Sequence, residues 1–138
     1  MRSISIIVSQ LALTASLTAS LMLGMQNAVA QSAPVSVGSA VKGKALYDAR
    51  CSACHSVDAH RVGPMHLGVV GRKAGSAVGY NYSEALRKSK IVWSRDTLLA
   101  WLSDPETLIP GQRMGYSMDN AQDREDVVAY LATLKASK

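Results

Sequence analysis

The chain has 138 residues, with fifteen Lys and Arg against ten Asp and Glu and a formal net charge of +5. Only 5% of it is aromatic, and no run of Lys or Arg interleaves with aromatic residues, which excludes the usual footprint of a nucleic-acid binder. The largest basic cluster, Arg87-Lys88-Ser89-Lys90, reads as a solvated face.

Residues 1–30 read as an export signal. Arg2 precedes an apolar stretch from Ile4 to Met25 diluted by Ser and Thr, and Ala28-Val29-Ala30 forms a small-residue cleavage site of the A-x-A type. Such a stretch is just long enough to span a bilayer as a retained anchor. The polar interruptions and the clean Ala-x-Ala instead predict cleavage after Ala30, a periplasmic location and no stable membrane insertion afterwards. The mature chain would be small enough for one domain. Its modest basic excess suits docking on acidic partner surfaces.

Residues 31–40 are small and polar, as in a flexible linker, and a domain over 41–138 is expected to begin with a helix running from about Val41 through Cys54. That helix ends in Cys51-Ser52-Ala53-Cys54-His55, which uses both cysteines of the chain. Two thiols three positions apart, followed by an imidazole, form the attachment pattern of a c-type haem. On one turn the sulfurs can reach the two vinyl groups of a single porphyrin, with His55 under the iron. A redox dithiol or half of a zinc site would share the two cysteines. Zinc would need two clustered ligands where only His60 and His66 remain, and a dithiol should lie in a βαβ setting that is missing here.

From Asp58 to Asn81 the chain is glycine-rich, carries Pro64 and shows no sustained period, so loop is expected. So long a loop is unusual in a small domain unless it wraps a cofactor. Short helices are expected over Ser83–Lys88 and from an N-cap at Ser94 to about Ser103, stopped by Asp104-Pro105. A last helix starts near Gln122, where Val127, Tyr130, Leu131 and Leu134 form one apolar stripe. No segment alternates like a strand, so the expected class is all-α.

An iron held by His55 needs a second axial ligand. Beyond the signal there are three methionines, Met65, Met114 and Met118. Met114 comes after a Pro110-Gly111 turn that would deliver its thioether, a soft donor suited to low-spin iron. Met118 is the runner-up, and any methionine can simply fill core.

From Gly43 to Leu134 the chain resembles the class I c-type cytochromes, the mitochondrial-like and small bacterial cytochrome c family. Gly43 and Tyr47 match the N-terminal helix glycine and aromatic of that family, and Val127 and Tyr130 the C-terminal helix residues that cross them. The resemblance implies a cytochrome c fold, with the two terminal helices crossing and short helices and long loops wrapped around one covalent haem c. It implies that the Pro64 carbonyl accepts the His55 ring N–H, and that His55 and Met114 are the iron ligands. Arg72, Tyr82 and Trp93 would face the propionates. His60 would tie two loops together, and His66, which has no family counterpart, is expected at the surface.

Three departures stand out. Gln112 and Arg113 replace the usual Thr-Lys before the ligand methionine, Trp101 stands where a Tyr hydroxyl commonly touches its sulfur, and Leu86 replaces an internal Asn. The function implied is a monomeric single-electron carrier, not an enzyme, shuttling between periplasmic or membrane respiratory partners such as an oxidase, reductase or dehydrogenase. Lys44, Lys88, Lys90 and Arg113 are candidates for a basic ring around the haem edge, against scattered solubilising charge. A haem peroxidase or gas-binding sensor is the alternative if the Met114 bond is labile.

Overall fold

A computed structural model describes residues 36–136, so the expected export signal over residues 1–30 and residues 31–35 of the expected linker lie outside it. The first helix, α1, runs Ala40–Arg50 and is opened by Ser39, whose side chain accepts from the Lys42 N–H. It stops four residues earlier than its sequence suggests. At Cys51 the ladder loosens: the Ser52 N–H reaches back to Tyr47 O (3.1 Å), and the Cys54 and His55 N–H groups both donate to Cys51 O (3.1 and 2.8 Å). The attachment motif is thus an irregular turn rather than helix.

Between Cys51 and Ser83 the described chain is loop, with one isolated bridge pairing Lys73 and Val92. α2 (Glu84–Lys88) is capped by Ser83, and α3 (Arg95–Ser103) by a capping box formed reciprocally between Ser94 and Thr97. Asp104-Pro105 ends α3 and also starts a further helix, α4 (Pro105–Leu108). Asp104 accepts from the Glu106 and Thr107 N–H groups, and Pro105 sits at the first position, where its missing N–H costs nothing. The Thr107 hydroxyl, donating to Asp104 Oδ2 at 2.6 Å, and after it the Thr107 N–H hold the Asp104 carboxyl below its ordinary range. The last helix, α5 (Ala121–Leu131), is capped by Asn120. Among the described residues there is no strand.

α1 crosses α5 at Gly43. A β-carbon there would lie 1.8 Å from the Asp126 carbonyl oxygen and 2.9 Å from Tyr130 Cβ, so only glycine permits the approach. One turn on, the rings of Tyr47 and Tyr130 pack 5.2 Å apart. α3 lies against α5 through the Arg95–Glu125 ion pair (2.5 Å) and contributes Leu98, Trp101 and Leu102 to a core completed by Val127, Val128 and Leu131. Residues 36–39, within the stretch read as linker, bond to α5: Ser36 N–H to Gln122 Oε1 and Ser39 N–H to Asp126 Oδ1, each at 2.7 Å.

Asp126 is buried at 4% exposure, so its acceptor is not replaced by water if removed. Asp126→Ala is expected to cost about 1–3 kcal/mol, read as a lower thermal midpoint. Asp126→Asn, which keeps a carbonyl for Ser39, should recover most of the loss; equal midpoints for both variants would contradict this.

Candidate functional site

The turn after α1 sets Cys51, Cys54 and His55 on the wall of a cavity of about 540 Å³. Pro64, Arg72, Tyr82, Trp93, Trp101 and Met114 line the same cavity. All nine residues expected to hold or contact the haem therefore converge on one space. Apolar side chains from α2, α3 and α5 (Leu86, Leu98, Leu102, Val127 and Leu131) supply much of the rest.

His55 is held from several sides. Its Nδ1 lies 2.8 Å from the Pro64 carbonyl oxygen, so this nitrogen carries the proton and donates, leaving Nε2 with its lone pair for a metal. Gly63 passes so close that a β-carbon there would sit 2.2 Å from His55 Cε1. Burial lowers the imidazole's affinity for a second proton, partly offset by the Pro64 bond. Cys51, by contrast, is pushed up by burial to about 11. A reactive dithiol needs a thiol pKa moved the other way, which argues against the redox-dithiol reading.

Met114 comes shortly after Gly111, whose φ of +82° makes the turn. Its sulfur accepts from the Trp101 indole N–H at 3.1 Å, and the Trp101 ring meets Trp93 edge-on at 5.3 Å. Met118 is different: at 2% exposure it is among the most buried side chains, and it belongs to the core rather than the cavity wall. Met65 is also outside the lining.

Arg72 braces the loop by donating to Leu67 O (2.9 Å) and Met65 O (2.8 Å), while its Nε is buried with no partner among the described residues. Tyr82 is buried, and burial raises its phenol pKa. His60 receives the Met65 N–H (3.1 Å) on one nitrogen and donates to Val78 O (2.8 Å) from the other, tying the two loops as the resemblance implied.

Two of the four candidates for a basic ring are paired within their own helices. Lys44 pairs with Asp48 at 2.6 Å and Lys88 with Glu84 at 2.5 Å, both one turn away on the same helix. Of the four candidates, only Arg113 lines the cavity, and it is exposed.

His66 corrects a second expectation. It is not a surface residue: it lines the cavity, and its ring stacks on His55 with centroids 4.2 Å apart. Burial first, then His55 and Arg72, push its pKa down to about 3, so it is neutral. The Gly63-Pro64 turn that presents the Pro64 carbonyl to His55 also turns the residue two positions on toward the same ring. That proximity was the only available signal.

These residues fit a covalently held porphyrin. Two free thiols, one imidazole nitrogen and one thioether share a single apolar cavity. The orphaned Arg72 Nε is a donor waiting for an anionic oxygen.

Residues 40–135 match the family model described as cytochrome c. The chain is 46% identical over 101 residues to a cytochrome c2 of Rhodopila globiformis, an overlap covering 71% of this chain and 95% of that protein. It is 41% identical over 110 residues to a cytochrome c of Kluyveromyces lactis, covering 77% and 98%. Among solved structures, cytochrome cH from Methylobacterium extorquens superposes with a TM-score of 0.67 at 41% identity, covering 70% of this chain and 99% of that one. The matching model, the relatives and the shared helical fold agree: the chain belongs to the cytochrome c family of electron-transfer proteins, which are not enzymes and carry one covalently attached haem c, here at the Cys51-Ser52-Ala53-Cys54-His55 motif.

Proposed function

We propose that this protein is a single-electron carrier whose haem c is bonded to Cys51 and Cys54 and ligated axially by His55 and Met114, and that it shuttles electrons between periplasmic or membrane respiratory partners. When bound, the haem would supply a one-electron ferric/ferrous couple, with His55 and Met114 the residues that would hold its iron. The observation that carries this reading is the convergence of the two thiols, His55 and Met114 on one cavity, with Met118 left in the core.

The chain's own residues do the tuning. Pro64 fixes the His55 tautomer and ring orientation, which raises the basicity of Nε2. The Trp101 N–H draws electron density from the Met114 sulfur, weakening it as a donor and favouring the reduced state. Trp93, Leu98, Val127 and Leu131 exclude water, which disfavours the extra charge of the oxidised state. Arg72, Tyr82 and Trp93 are the donors available to the propionates. Export rests on Arg2, the apolar run and Ala28-Val29-Ala30. Arg113, exposed at the cavity wall, is the cation best placed to meet an acidic partner.

Met114→Ala tests the ligand assignment. The variant should keep its covalent haem, show a lower reduction potential, and bind carbon monoxide when reduced. If Met118 is the ligand instead, Met114→Ala keeps its potential and stays closed to carbon monoxide.

A further inference from the structure

His66 takes no part in attachment or axial ligation, yet it is the side chain stacked on the ligand histidine. The two rings are nearly parallel, 20° apart with centroids at 4.2 Å. On its other side His66 is anchored: Nδ1 lies 3.1 Å from the Tyr47 hydroxyl, and the two rings meet edge-on at 5.6 Å. Tyr47 is itself buried at 3% exposure in the α1–α5 crossing, against Tyr130. A line of contacts therefore runs from the helix crossing through Tyr47 and His66 to His55. An apolar side chain would fill this place without burying a polar ring, whereas a buried imidazole needs a hydrogen-bond partner.

We propose that His66 is a positioning residue for the iron ligand: stacked on His55 and fixed by Tyr47, it holds the plane of the ligand ring and stabilises the oxidised state, lowering the reduction potential. This rests on His55 being the axial ligand. An imidazole bound to the ferric ion carries more positive charge than one bound to the ferrous ion. The π-face of a neutral neighbouring ring attracts that extra charge, so the stack favours oxidation.

The test compares wild-type holoprotein with His66→Leu and His66→Phe. Two properties are measured: the equilibrium reduction potential, and the pattern of haem-methyl shifts in the ferric proton NMR spectrum, which tracks the plane of the axial imidazole. His66→Leu is expected to raise the potential and rearrange the methyl shifts. His66→Phe, which keeps a ring on His55, should move both less. A His66→Leu protein with wild-type potential and methyl pattern, whatever its thermal midpoint, would overturn the proposal and leave His66 as packing. His66→Phe moving as far as His66→Leu would overturn it too, because the stack would then count for nothing. Failure of the underlying reading is separable: if His55 is not a ligand, the wild-type ferric spectrum itself lacks the strongly shifted imidazole resonances.

Discussion

Replacing Gly43 with valine is expected to lower the thermal midpoint by about 10–20 °C, from an overpacking cost of about 2–3 kcal/mol at roughly 4–8 °C per kcal/mol for a domain of this size. The new β-carbon would be 1.8 Å from the Asp126 carbonyl oxygen, a backbone atom in the middle of α5 that no rotamer change can move. The helices must then separate, loosening the Tyr47–Tyr130 contact and the Ser39–Asp126 hydrogen bond together. A small gain in helix propensity over glycine offsets only part of the cost. Ala45→Val, an exposed site on the same helix, should change the midpoint far less. Equal midpoints for the two variants, by circular dichroism on holoprotein, would contradict the close crossing.

Cys51→Ser with Cys54→Ser is expected to abolish covalent attachment. After extraction with acidified organic solvent the polypeptide of this variant should retain no haem, while the wild type retains all of it. The physical consequence goes beyond the lost bonds. A cavity of about 540 Å³ sits inside a small domain, lined in large part by the loop between α1 and α2. Small domains bury too little surface to tolerate such a void, so the double variant should also lose near-ultraviolet circular dichroism. Haem that still resists extraction would contradict attachment through these thiols.

Much of the site was legible because its signals are local. The Cys51–His55 motif carries its chemistry in five consecutive residues, the Pro110-Gly111 turn announces the delivery of Met114, and the expected last-helix stripe survives on α5 as buried Val127 and Leu131 with half-buried Tyr130, while Leu134 lies beyond the helix's end. The parts that were not legible depend on tertiary approach. Asp104-Pro105 looks like a stop, and only the backbone turn beyond it makes it the start of α4. Ser36 and Ser39 look like linker until α5 brings Gln122 and Asp126 to them. Lys44 and Lys88 read as free cations, although the acidic partners were already one helical turn away in the sequence. His66 lies in a glycine-rich loop with no period, and its place two residues after Pro64 is the one sequence hint of which way it faces. Its burial arises from the turn at Gly63-Pro64 and from Tyr47, nineteen positions earlier in the chain.

The most direct test of axial ligation by His55 and Met114 is an absorbance spectrum of the purified wild-type protein, oxidised and reduced, with and without carbon monoxide. A six-coordinate carrier shows the weak long-wavelength ferric band of methionine-to-iron charge transfer, and its reduced spectrum is unmoved by carbon monoxide. A missing ferric band together with a clear carbon monoxide shift would contradict the carrier reading and make this an open-site haem protein, a peroxidase or a gas sensor.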